Sequence, residues 1–150
     1  MNHIAQTAIV AAMIAGFWCA AAVAQTISPA PFTQAQADAG RQSYMANCAS
    51  CHGDSLAGIG APALTGKEFA TSSIGQLSAA QLYGYIQGEM PFGASGSLSS
   101  DTYVSILAFI LEANGAKPGS RPLTPDSGVK VGDIITGEMP AGFLRTSQSN

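Results

Sequence analysis

Cys48-Ala49-Ser50-Cys51-His52 is the stretch on which the reading of this chain turns. Two thiols three positions apart fall on one turn of helix, and an imidazole follows directly. This is the C-x-x-C-H spacing of c-type haem attachment. Each thiol can add to one of the two vinyl groups on a porphyrin edge, and His52 then projects toward the iron from the proximal side. A zinc site would need a fourth ligand from a second Cys or His cluster, which the sequence lacks. A thioredoxin-like redox pair expects a βαβ pattern, and no strand alternation lies near these cysteines. A plain disulfide in an exported chain is the remaining alternative.

On both sides of the motif the pattern is helical. Thr33-x-x-Gln36 reads as a capping box. Ala37, Gly40, Tyr44 and Cys48 then recur on one face, with Gly40 lacking a side chain where another helix could cross closely. Further on, Ser78-x-x-Gln81 opens a helix carrying Leu82, Tyr83 and Ile86. A third helix runs over residues 100–113 and stops at Asn114-Gly115. Its residues Tyr103, Val104, Ile106, Leu107, Phe109, Ile110 and Leu111 leave only Asp101, Ser105 and Glu112 on a polar strip. Such a helix must be buried on more than one side.

Between the last two helices lies Met90, 38 residues after His52 in a Gly88-Glu89-Met90-Pro91-Phe92-Gly93 loop. A loop pinned at both ends by packed helices is what a weak thioether–iron bond requires, so Met90 is the expected sixth ligand. Met45, three residues before Cys48, is expected to fill a gap in the core. Met139 is the rival. Its tetrapeptide Gly137-Glu138-Met139-Pro140 repeats residues 88–91, but no packed helix follows it.

The 150 residues are 47% apolar and only 10% charged, against roughly 25% charged in an ordinary soluble domain. A net charge of −3 argues against a nucleic-acid binder, which would show a basic patch or stripe. The positive mean hydropathy of +0.21 owes much to residues 8–24, which carry no charge. They end in Ala22-Val23-Ala24, so residues 1–24 are expected to be a secretory signal peptide cleaved after Ala24. The run is also near the ~18-residue minimum for a span, and an uncleaved membrane anchor is the alternative. Phe17-Trp18 are too bulky for lipoprotein processing at Cys19. After cleavage every charged residue remains, with Cys48, Cys51 and His52 as the whole inventory of cysteine and histidine. The expected organisation is a lead-in over 25–34, one domain over 35–115, and a loop-rich extension over 116–150 that wraps the domain or serves as a docking arm.

Taken in order, these pieces resemble class I cytochromes c. Gly40 and Tyr44 come first, then CASCH, then Gly60-Ala61-Pro62-Ala63-Leu64, the Met90-Pro91 loop and the Ala108-Phe109 pair. The resemblance implies an all-α cytochrome c fold, with three to five helices around one covalently bound haem c and a loop-rich C-terminal tail. It also implies that the Pro62 carbonyl accepts the hydrogen bond of the haem histidine's Nδ1, and that Leu64 packs against the ring. The stretch from Met90 to Gly115 is similar to the cytochrome c domains that serve quinoprotein alcohol dehydrogenases. No dehydrogenase domain is present in this sequence, so such an enzyme would be a separate chain.

The resulting expectation is a periplasmic one-electron carrier, not an enzyme, passing electrons from a dehydrogenase donor to an oxidase or other cytochrome acceptor of the respiratory chain. A non-catalytic cytochrome subunit of a dehydrogenase complex is the alternative. Ligation by His52 and Met90 leaves no open position for substrate. Cytochrome-like peroxidases need a second haem, and one C-x-x-C-H is present. A gas-binding protein needs the sixth position open. With so few charges, docking to partners is expected to be weak and largely apolar, without a lysine ring for steering.

Overall fold

The computed structural model describes residues 30–145. The signal segment 1–24, with its alternative as an anchor, and the last five residues of the tail lie outside the described residues. Among those described there is no strand, only an isolated bridge between Ser78 and Lys130.

The first helix, α1 (Gln34–Asn47), starts where Thr33 Oγ1 accepts the Gln36 N–H at 3.2 Å. The return arm of the expected capping box is not made. Instead the Gln36 carboxamide bridges the Leu123 backbone, donating to its carbonyl at 3.0 Å and accepting from its N–H at 2.8 Å. Two tertiary bonds to a segment with no regular structure replace one local bond. A single helical turn, α2 (Ala49–His52), follows, then the short α3 (Lys67–Thr71) and α4 (Ser73–Gln76). Helix α5 (Ala79–Glu89) has the complete box, with Ser78 and Gln81 capping each other's backbone. Helix α6 (Ser100–Ala113) is capped by Ser99 and ends on Asn114.

Helix α6 is buried from Tyr103 to Ala113 except at Ser105 and Glu112, as its nearly all-apolar sequence requires. Its main neighbour is α1. At their crossing a Cβ on Gly40 would run into the Ser105 carbonyl oxygen, so the two backbones touch. Beside the crossing the Tyr44 and Phe109 rings meet at 5.2 Å with their planes tilted by 48°. Helix α5 packs on α6 as well, with Leu82 and Tyr83 in the same core as Tyr103, Val104 and Leu107. Met45 departs from the sequence reading: it is 44% exposed, one position beyond the buried Tyr44 on the outward side of α1.

The chain after α6 is a wrap. Lys117 and Gly119 pair with Ala30 and Phe32, while Val129 and Ser127 accept from Ala79 and Ala80 at the start of α5. The short 3-10 turn Val131–Asp133 follows, and Leu123, Val131, Ile134 and Ile135 enter the core. Near its end Arg41 of α1 donates to the carbonyls of Phe143 and Leu144, its guanidinium lying over the Phe109 and Phe143 rings. The segment thus supplies side chains that the helices alone lack.

The close crossing can be tested by Gly40→Ala. Alanine is the better helix former by about 1 kcal/mol, yet its methyl must push α6 away. A net loss of about 1–3 kcal/mol is expected in urea unfolding, and a neutral or stabilised variant would refute backbone contact there.

Candidate functional site

The site begins at the junction of α1 and α2. Cys48 closes α1 with its N–H on the Tyr44 carbonyl, and its own carbonyl starts the next turn by accepting from Cys51 and His52. Gly53 then reverses the chain with φ at +80°, a conformation glycine adopts without steric cost. Tyr44, expected from sequence only to pack in the core, also donates its hydroxyl to the Gly53 carbonyl at 2.7 Å. Burial, aided by Cys48 and Asp54, pushes its phenol well above the ordinary range.

The loop that follows is tied to the motif it leaves. The Cys51 carbonyl accepts from the N–H groups of Ile59, Gly60 and Ala61, and the His52 carbonyl accepts from Gly58. Gly58 is required here, since a Cβ would lie 2.6 Å from the Ala61 carbonyl oxygen. The loop comes back with the Pro62 carbonyl 2.8 Å from His52 Nδ1. With a carbonyl as partner, Nδ1 carries the proton and Nε2 keeps its lone pair. His52 is buried, and its Nε2 has no hydrogen-bond partner among the described residues. Leu64 is half-buried against the cluster of Tyr44, Leu56 and Ile106 that also packs Cys48.

Both thiols are free, Cys48 half-buried and Cys51 exposed. Burial pushes the Cys48 thiol up to about 11, and the neighbouring Cys51 adds to the effect. It is therefore a neutral thiol at neutral pH, whereas metal binding uses the thiolate. Among the described residues no group of three His, Cys, Asp or Glu side chains is placed to hold a metal ion.

Met90 stands on a different element, the loop from α5 to α6. Its N–H ends α5 on the Ile86 carbonyl, and its carbonyl accepts the Tyr103 hydroxyl at 2.7 Å. That hydroxyl also receives a long hydrogen bond from Leu98 N–H at 3.5 Å, so one buried tyrosine of α6 holds both ends of the loop. The sequence reading took Tyr103 as one more apolar position. The signal for its role was the residue type, because a buried tyrosine needs a partner for its hydroxyl and phenylalanine does not. The second Gly-Glu-Met-Pro is placed differently. Gly137 sits against Gly66 and Lys67 with φ at +72°, and Met139 is half-buried against the Tyr44–Phe109 cluster.

These residues fit haem c. The thiols are unpaired, one imidazole nitrogen is oriented while the other is left for iron, and the loops nearby carry apolar side chains out of the core. Ile59, which lies against Gly53, is 79% exposed, and Phe92, two residues after Met90, is 93% exposed. On so uncharged a chain, such side chains suit contact with a flat apolar group. Residues 35–110, just over half of the chain, match the family described as cytochrome c oxidase, cbb3-type, subunit III. The chain belongs to this family. It is a class I c-type cytochrome, an electron-transfer protein, and haem c is the family's cofactor.

Among solved structures the cytochrome is similar to the sulfane dehydrogenase SoxCD from Paracoccus pantotrophus, at 23% identity and a TM-score of 0.45. The match covers 81% of this chain and 60% of that one, so this cytochrome spans less than two thirds of its neighbour's length. No curated protein matches it. In a cytochrome of this family the haem supplies one-electron chemistry. What the chain's own residues do is to orient His52 through the Pro62 carbonyl, to hold the Met90 backbone through Tyr103, and to pack Leu64 with Tyr44 and Leu56.

Tyr103→Phe isolates that second duty. It leaves the Met90 carbonyl without its donor, at a cost of about 1 kcal/mol in unfolding experiments. Amide hydrogen exchange at Met90, Ala94 and Gly96 should accelerate while exchange within α1 stays unchanged. Equal protection of the loop in variant and wild type would show that the hydroxyl does not hold it.

Proposed function

We propose that this cytochrome is a one-electron carrier outside the cytoplasm, with one haem c attached through Cys48 and Cys51 and iron held by His52 and Met90. The observation that carries the reading is the hydrogen bond from His52 Nδ1 to the Pro62 carbonyl, which leaves the lone pair of Nε2 available to a metal. With a thioether on the sixth position no site is open to substrate, so the protein carries electrons and is not itself an enzyme. Thioether ligation also raises the potential relative to bis-imidazole ligation. Export rests on the apolar segment 8–24 ending in Ala22-Val23-Ala24, and the periplasm is the compartment that fits. The partners are redox proteins, a dehydrogenase as donor and an oxidase or second cytochrome as acceptor. The extension is read as part of the carrier's own body, since its Leu123, Val131, Ile134 and Ile135 share a buried cluster with Ala37, Leu82 and Tyr103 of the helices.

A second reading is favoured by the family match, whose description names a subunit of an oxidase. Here the same chemistry is done by a chain that stays bound to a larger complex. Fractionation of native extracts separates the two: a free carrier sediments at the monomer's mass, and a subunit travels with its complex. Among the described residues no helix is long and apolar enough to cross a membrane.

Absorption spectra of oxidised and reduced protein, wild type beside Met90→Ala, test the ligation. The thioether–ferric charge-transfer band should be present in wild type and absent in the variant, and the reduced variant alone should bind carbon monoxide readily. A band that survives the substitution would remove Met90 from the iron.

Docking gives a further expectation. With 10% charged residues and a net charge of −3, association should use a small interface, below ~1,200 Å². Electron-transfer rates with a physiological partner should change by less than about tenfold between low and moderate salt. A steeper fall would establish charge-steered docking instead.

A further inference from the structure

Asn114, which the sequence marks as a helix stop, is fully buried at the end of α6 and is tied to three segments at once. Its Nδ2 donates to the carbonyl of Leu64, 50 residues earlier in the chain, and to that of Ile110 within its own helix, both at 2.8 Å. Its backbone carbonyl accepts from the N–H groups of Thr136 and Gly137 at 2.9 and 3.1 Å, and from Thr136 Oγ1 at 3.3 Å. Its Oδ1 is buried with no partner. A buried unsatisfied oxygen costs about 1–3 kcal/mol. A leucine would remove that oxygen, but it would leave the Leu64 carbonyl without its side-chain donor. What the amide alone provides is a donor aimed at Leu64.

Leu64 is two residues from Pro62. Its N–H is fixed on the Leu56 carbonyl at 2.8 Å and its carbonyl on Asn114, so both of its backbone groups are engaged. Between that fixed point and the amides of residues 59–61 held on Cys51, the Pro62 carbonyl has little freedom to move relative to His52 Nδ1. We propose that Asn114 is a positioning residue that, through Leu64, fixes the strength of the hydrogen bond from His52 to Pro62 and thereby tunes the iron's affinity for its electron. This rests on His52 being the proximal ligand. A carbonyl held close to Nδ1–H makes the imidazole a stronger donor through Nε2 and favours the oxidised state. Releasing Leu64 weakens that bond and moves the equilibrium toward the reduced state.

The test uses the haem-loaded protein with Asn114→Leu, Asn114→Gln and Thr136→Ala. Midpoint potential is measured beside exchange of the His52 Nδ1 proton followed by NMR. Asn114→Leu should speed that exchange about tenfold, the order of one hydrogen bond's net worth, and raise the potential, a tenfold shift in the equilibrium being 59 mV for one electron. Asn114→Gln, which keeps a donor, should recover part of both changes. Thr136→Ala removes a bond from the same hub on the side of the wrap, and should lower stability with exchange and potential unmoved. If Asn114→Leu does not fold, wild type alone decides: protection of the Nδ1 proton and of the Asn114 carboxamide protons should be lost together as denaturant rises. Loss at separate denaturant concentrations overturns the proposal, as do wild-type values in Asn114→Leu. A wild type without a haem c spectrum would instead overturn the proposed function itself.

Discussion

The contact between the backbones of α1 and α6 at Gly40 and Ser105 is the constraint from which the geometry of the site follows. Two helices that touch without intervening side chains have a fixed separation, and whatever each carries is then fixed relative to the other. Helix α1 carries Tyr44 and delivers Cys48 at its end. Helix α6 carries Tyr103 near its start and Asn114 just past its end. These two residues lie 11 positions apart, about 16 Å along a helix axis. One reaches the Met90 loop and the other the loop of Pro62 and Leu64. A single rigid helix therefore sets the spacing of the two loops that carry the site.

The same constraint explains why the core is arranged as it is. Helix α6 can be apolar over most of its surface because α1, α5 and the wrap cover it on successive sides. With only 10% charged residues the surface contributes little ion pairing. Order in the irregular segments comes instead from polar side chains of the helices that hydrogen-bond to the backbone of those segments. Gln36 on Leu123, Asn114 on Leu64 and Arg41 on Phe143 and Leu144 are all of this kind. Each joins a helix to a segment that has no regular pairing of its own.

Much of this was legible in the sequence because periodicity and caps are local. The Ser78–Gln81 box, the Ser100–Ala113 helix and the glycine at the crossing follow from residue type and spacing alone. The haem-attachment motif is equally local, since its five residues form one turn. What escaped the sequence were bonds between residues far apart in the chain. Gln36 fits a capping box by pattern, yet its carboxamide found a better pair of partners 87 residues away. Tyr103 and Asn114 looked like core filler and a helix stop, because nothing in a linear pattern says which distant carbonyl a buried hydroxyl or amide will meet. Met45 was assigned inward from residue type, although its position one step beyond Tyr44 turns it outward.

The distribution of these polar groups follows from the physics of loops. A loop of this kind gains little order from repeated backbone pairing, and apolar side chains such as Ile59 and Phe92 on the two loops face away from the core. Its position then depends on a few donors supplied by the scaffold. A donor buried on a helix is well suited to this, because leaving a buried carbonyl unpaired is expensive and the alternative positions of the loop are penalised accordingly. Tyr103 and Asn114 act in this way at the two ends of α6. The unpartnered Oδ1 of Asn114 belongs to the same logic: an amide brings an acceptor along with its donor, and the fold keeps the unfavourable half in order to have the other where Leu64 needs it.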